Sequence, residues 1–159
     1  ERSRGLGDVY KRQLVKEEAF RSKIGNWFLR GVGCIPVKRG EADIDAYKAV
    51  MSVLKSGENI LIFPEGTRNK SGSQTMNTFK EGVAVFAMRA KVQVQPMLYY
   101  RMHKPFHKNL LVVGEPIDLL AEGFDRKQDK EATQFLYDKM CELRLIANEA
   151  AKENGLCKK

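Results

Sequence analysis

Apolar residues recur at helical spacing over residues 16–33, where Phe20, Ile24, Trp27, Phe28 and Val32 share one face and Lys16, Arg21, Lys23 and Arg30 lie mostly off it. The pattern predicts a basic amphipathic helix with Gly25 as a break point. Two surroundings suit such a helix: the face of a sheet, or an anionic lipid surface, for which Trp and flanking basic residues are fitted. Residues 33–37 read as a short strand that runs into the basic turn Lys38-Arg39-Gly40. Ile44, Tyr47, Met51 and Leu54 then fall on one helical face between Asp43, a capping residue, and Ser56-Gly57, a stop signal. A helix joining two short apolar strands is the pattern of a parallel βαβ unit, and residues 59–63 supply the second strand. Further on, Val83 to Met88 is apolar on nearly every side and predicts a largely buried helix opened by Phe79-Lys80-Glu81-Gly82. Residues 92–100 alternate around Pro96, which marks an edge or a bulge, and residues 109–114 read as another strand. Ala132, Leu136, Met140, Leu143, Ala147 and Ala150 form a long helical stripe that closes before Gly155 and suits packing on a sheet.

Residues 1–13 show no helical or strand period; they read as a non-native junction and are set aside, so that one domain spans residues 14–159. That length, with 43% hydrophobic residues, allows one domain with a real core. Cys34, Cys141 and Cys157 are an odd number without zinc spacing, consistent with a reduced, intracellular setting and, for the first two, with filling the core. No apolar stretch approaches the roughly 18 residues of a membrane-spanning helix, so membrane contact through these residues would be peripheral.

The net charge of +8 is concentrated in the middle of the chain. Residues 66–108 carry eight Lys or Arg against the single acid Glu81, whereas residues 14–65 hold eight basic and seven acidic residues, and residues 109–159 eight and ten. Such a field suits phosphorylated small molecules, anionic headgroups, an acidic carrier protein or nucleic acid, or is simply a solvated basic face.

That excess adjoins the string Phe63-Pro64-Glu65-Gly66-Thr67-Arg68, which follows the apolar run Ile60-Leu61-Ile62 and predicts a binding loop at the end of a buried strand. Pro64 cannot donate to a ladder, and Gly66 permits a sharp turn or a close ligand approach. As punctuation alone, the string is also a strand-terminating turn with a solvated ion pair. Lys80, at the start of a helix, is unfavourable to the helix dipole unless it shares a bound anion with the helix N-terminus.

The string, with Ser71-Gly72 beyond it, the strand ending near Arg39 and the downstream Phe79-Lys80-Glu81-Gly82, resembles the glycerolipid acyltransferases, the family that includes the lysophosphatidate acyltransferases. The resemblance covers roughly residues 14–114. It implies an α/β fold with a mostly parallel sheet flanked by helices. It also implies an acyl donor, acyl-CoA or acyl-carrier protein, with no cofactor and no metal. The implied acceptor is 1-acyl-glycerol-3-phosphate or a related lysolipid. Carried over position by position, it makes Arg39, Glu65, Gly66, Thr67, Arg68 and Lys80 the substrate-binding residues, the cations surrounding a phosphate. Arginine's planar fork suits that role. Glu65 would accept from a glycerol hydroxyl or would orient one of the cations.

The family's catalytic pair, a histidine with an aspartate five positions on, is not reproduced. His103 and His107 are followed at that spacing by Lys108 and Val112, and both come after the glutamate motif. A metal on a helix through His103 and His107 is disfavoured by Pro105 between them and by the want of a third ligand. The resemblance therefore implies the downstream part of an acyltransferase, without its base and inactive as given. It would work at the cytoplasmic face of a membrane, peripherally or through a missing N-terminal anchor, on an anionic surface and without nucleic acid. The rival readings are a sister acyltransferase with another acceptor and a non-enzymatic module that binds anionic lipid or nucleic acid.

Overall fold

The computed structural model describes residues 11–38, 43–67, 76–101 and 108–156. The chain forms two compact units, Glu1–Thr67 and Arg68–Lys159, where the sequence reads as one domain.

The first unit is built on three parallel strands, β1 (Lys11–Lys16), β2 (Ile35–Val37) and β3 (Asn59–Leu61), in the order β2-β1-β3. β1 is the centre: its second half pairs with β2 through Leu14↔Ile35 and Lys16↔Val37, and its first half with β3 through Lys11↔Asn59 and Gln13↔Leu61. Lys11, Arg12 and Gln13 are therefore part of a strand, and setting residues 1–13 aside as lacking strand character is corrected for these three. The segment escapes periodicity because only Leu14 and Val15 in it are apolar; backbone pairing on both sides fixes it instead.

The predicted helix over residues 16–33 is shorter and breaks earlier. A 3-10 turn (Glu17–Phe20) is followed by α1 (Lys23–Gly31), which starts at Ser22. Ser22 has extended backbone, and its Oγ accepts from the Gly25 N–H at 2.9 Å, a cap that outcompetes helix continuation. Gly25 is needed inside this cap, since a Cβ there would stand 2.6 Å from Ser22 Oγ and 2.9 Å from the Ala19 carbonyl oxygen.

α2 (Ile44–Lys55) connects β2 to β3 and packs on both, burying Ala46, Val50, Met51 and Val53, so the βαβ expectation holds with β1 inserted between its strands. Asp43 caps α2, and Ser56 with Gly57, at φ 80°, ends it.

In the second unit, α3 (Gly82–Ala90) buries Ala84, Ala87 and Met88, and β4 (Met97–Tyr99) pairs antiparallel with β5 (Leu111–Val113). Pro96 stands just before β4, between the ladder and an isolated bridge from Val94 to Ile117, which is the edge-like position expected of it. α4 (Asp129–Glu153) packs on α3, β4 and β5. It serves two apolar clusters. One gathers Met88, Leu119, Ala132 and Leu136 with α3; the other gathers Leu98, Tyr100, Leu143, Ala147 and Ala151. Ala151, rather than Ala150, completes the stripe. Cys34 and Cys141 are half-buried free thiols rather than core residues, and burial pushes the Cys34 thiol up.

Candidate functional site

All three strands of the first unit run the same way, so their carboxyl ends lie along one edge of the sheet. In open α/β sheets ligands bind beyond that edge. β3 delivers Ile62 and Phe63 there, and the chain then turns. The Gly66 N–H donates to the Phe63 carbonyl oxygen at 3.1 Å, which closes a β-turn with Pro64 second and Gly66 fourth. Pro64 presets φ for that place, and Gly66 sits at φ 64°, which glycine adopts without strain. Glu65 occupies the apex and is half-buried; Gly66 and Thr67 are exposed. The structure thus brings Glu65, Gly66 and Thr67 together on one tight turn at the carboxyl edge.

One expectation about this stretch fails. Leu61 and Phe63 are exposed, Phe63 at 61%, so the strand is not buried on both sides. α2 packs on β3, and the face carrying Asn59, Leu61 and Phe63 is exposed.

Arg39 and Arg68 lie outside the described residues, as do Ser71, Gly72, His103 and His107. What frames Arg39 is described. The Asp43 carboxylate accepts from the Lys38 N–H at 2.8 Å through Oδ2 and from the Ala46 N–H at 3.0 Å through Oδ1. One side chain therefore ties the end of β2 to the start of α2 across the segment that contains Arg39. These two bonds, that from Ala46 foremost, hold the Asp43 carboxyl below the usual carboxylate range. The sequence showed Asp43 as a cap; its second bond, to Lys38, has no signature in spacing.

A second contact missed by periodicity braces the other end of the sheet. Arg12 Nε donates to Glu58 Oε2 at 2.8 Å and Arg12 Nη2 to Glu58 Oε1 at 3.4 Å, a two-point pair between β1 and the residue before β3. The Arg12 guanidinium holds Glu58 below its ordinary range, and Glu58 raises Arg12.

Lys80 belongs to the second unit. It is exposed and precedes α3, whose cap residue is Glu81, so it stands ahead of the first turn rather than in it. Beside it, Phe79 and Glu81 line an open cleft of about 410 Å³ together with Met76, Thr133 and Tyr137. The Phe79 and Tyr137 rings meet edge to face at 5.2 Å there.

The order of these parts along the chain, a parallel strand, a Pro-Glu-Gly turn and, later in the sequence, an apolar helix, coincides with a family model described as acyltransferase that matches residues 7–100. The chain belongs to the acyltransferase family. Among curated relatives of this acyltransferase chain, 1-acyl-sn-glycerol-3-phosphate acyltransferase of Streptococcus pneumoniae is 33% identical over 87 residues, covering 54% of this chain and 31% of the relative. Lyso-ornithine lipid O-acyltransferase of Pseudomonas aeruginosa is 31% identical over 85 residues, covering 53% and 32%. The crystal structure of the 1-acyl-sn-glycerophosphate acyltransferase PlsC from Thermotoga maritima shares the fold, with a TM-score of 0.58 at 21% identity over 85% of this chain and 57% of that one. The expected α/β acyltransferase fold is therefore the observed one. The acyltransferase chain spans about a third or less of the length of the first curated relatives.

Proposed function

We propose that the chain is the acceptor-holding part of an O-acyltransferase that moves a fatty acyl group from a thioester donor to 1-acyl-glycerol-3-phosphate, giving phosphatidate. The observation that carries this reading is the Phe63–Gly66 turn at the carboxyl edge of a parallel sheet, inside the region matched by the acyltransferase model. The printed names of several relatives support the acceptor. Acyl-CoA or acyl-carrier protein is the donor in this reading, and no cofactor takes part.

In the reaction the acceptor hydroxyl oxygen bonds to the thioester carbonyl carbon, the C–S bond breaks, the hydroxyl proton passes to a base and the thiolate takes a proton. In this reading Arg39, two residues past β2, and Arg68, two past Gly66, grip the phosphate as charge-assisted donors. Glu65 at the turn's apex accepts from the free glycerol hydroxyl, and the exposed Thr67 adds a hydroxyl beside it. Lys80 is a further phosphate contact implied by the resemblance; the proposal is carried by the first unit. Holding the acceptor in line is worth a large share of such a barrier, since a fixed geometry replaces a bimolecular encounter.

The Pseudomonas relative favours a second reading, in which the acceptor is another lysolipid and the enzyme a sister acyltransferase. Equilibrium binding separates the two. Lysophosphatidate should bind the chain with an affinity that falls at least about tenfold in Arg39→Ala and in Arg68→Ala, the loss expected of a charged hydrogen bond. A lysolipid without a phosphate monoester should bind these variants and the parent alike. Unchanged lysophosphatidate affinity in both variants, with oligonucleotide binding that falls steeply with salt, would overturn the acyltransferase reading in favour of a nucleic-acid module.

A further inference from the structure

The cleft of about 410 Å³ lies wholly within the second unit, and its volume is that of a small-molecule site. One wall is the segment that leads into α3, from Met76 to Glu81; the other is the side of α4 that carries Lys130, Gln134 and Tyr137, which share a helical face. The walls are fastened to each other. The Tyr137 hydroxyl donates to the Met76 carbonyl oxygen at 3.4 Å, and its ring meets that of Phe79 edge to face. Phe79 and Thr133 are buried at the floor, whereas Glu81 and Lys130 are exposed at the rim.

Two of the polar side chains on the α4 wall are engaged within the helix. Thr133 Oγ1 donates to the Asp129 carbonyl oxygen at 2.6 Å, and Gln134 Nε2 donates to Asp138 Oδ1 at 2.8 Å. Glu81 and Lys130 differ: among the described residues, no ion pair or hydrogen bond engages either side chain. Lys80 and Glu131, their chain neighbours, do not line the cleft, and Asp129, the other neighbour of Lys130, is paired with Arg89 at 3.5 Å. The cleft therefore presents a carboxylate on one wall and an ammonium on the other, over two aromatic rings and the Met76 thioether.

We infer that this cleft binds a zwitterionic small molecule, its ammonium at Glu81 and its carboxylate or phosphate at Lys130. A ligand of one sign satisfies one rim charge and is opposed by the other, which disfavours a nucleotide, a fatty acid or a polyamine. A ligand that carries both signs takes a charge-assisted hydrogen bond at each wall. Its ammonium end also shares the cleft with the Phe79 and Tyr137 rings, whose faces attract a cation. A free amino acid and the headgroup of a zwitterionic lysolipid have this chemistry in common. The inference goes beyond the acceptor site and stands or falls apart from it, since Arg39 and Arg68 take no part in this cleft.

The 159-residue chain would be titrated calorimetrically with δ-aminovalerate, and with valerate and pentylamine, each of which keeps one of its two charges. The zwitterion should bind at least about fivefold more tightly than either control. In Glu81→Gln the affinity for δ-aminovalerate should fall at least about fivefold while that for valerate rises, because the carboxylate no longer opposes an anion. Lys130→Gln should weaken δ-aminovalerate equally and strengthen pentylamine instead. A damaged fold would weaken all three ligands together, so the opposite movements are the readout. Phosphoethanolamine and lysophosphatidylethanolamine, the latter below its micellar concentration, separate the sources. Equal affinities assign a free zwitterion; a lysolipid bound at least about tenfold more tightly, with the gain lost in Glu81→Gln, assigns the headgroup. No binding of any zwitterion, equal affinities for δ-aminovalerate and its two controls, or affinities that both variants leave unchanged would overturn the inference.

Discussion

Lys91 closes α3 with φ 56° and ψ 49°, the single non-glycine among the described residues with positive φ. Its N–H and that of Val92 both bond the Ala87 carbonyl oxygen, so the left-handed turn is what ends the helix. An L-residue is disfavoured there by roughly 1–2 kcal/mol, and glycine recovers part of that while losing more unfolded-state entropy. Lys91→Gly should therefore raise stability by about 0.5–1 kcal/mol over Lys91→Ala in urea unfolding. No gain over the alanine variant would show that the turn is unstrained. Asp43 gives a prediction with a pH signature. Its carboxyl is held low by the Ala46 and Lys38 N–H groups, so its contribution is present above the ordinary carboxylate value and is lost as pH falls through the lowered one. Asparagine offers one acceptor oxygen where Asp43 uses two. Asp43→Asn should cost about 1 kcal/mol near neutrality, with the two unfolding curves converging below about pH 4. A constant offset down to acid pH would mean that the charge contributes nothing.

Among the elements, those whose side chains alternate between a covered and an open side were legible, and those defined by backbone pairing were not. α2 and α4 bury one stripe each, and the 3.6-residue period records it. β1 is the opposite case: KRQLVK has no alternation, yet it is the strand on which the sheet depends, because both neighbours supply its backbone partners. The apolar run of residues 60–63 suggested a buried strand, but composition cannot say how many sides of a strand are covered, and β3 has α2 packed on it while Leu61 and Phe63 are exposed. α1 kept its period but leaves Ile24, Trp27 and Phe28 exposed, since a wheel shows an apolar face without showing which way it points. At the site, the turn of residues 63–66 was readable from Pro64 and Gly66, whereas the Asp43 tie to Lys38 was not. α3 offers the energetic check. Met88 is fully buried against Leu119, Ala132 and Leu136, so Met88→Ala leaves a cavity where α3 meets α4 and should cost about 2–5 kcal/mol in chemical unfolding. A cost below about 1 kcal/mol would show that this cluster is loosely packed.

Over the whole chain, holding and proton transfer are separable. The residues proposed to hold an acceptor are all in the sequence, and basic residues outnumber acids eight to one across residues 66–108. A positive field of that kind raises the local concentration of an anionic lipid without touching the acyl carbon. Proton transfer needs a base of suitable pKa within hydrogen-bond reach of the hydroxyl, and an imidazole oriented by a carboxylate is the arrangement the resemblance implies. His103 and His107 are the only imidazoles in these 159 residues, and neither has an aspartate five positions on. A positioned base contributes about 10²–10⁴-fold, and that factor multiplies whatever acceptor binding supplies. The expected outcome is thus split: the purified chain binds lysophosphatidate with the dependence on Arg39 and Arg68 stated above, yet forms no phosphatidate from acyl-CoA or acyl-carrier protein above a protein-free control. Turnover that survives His103→Ala and His107→Ala would mean that a residue outside the histidine logic, with Glu65 the first to examine, accepts the proton. Turnover lost in either histidine variant would place the base downstream of the turn, against the order the resemblance implies.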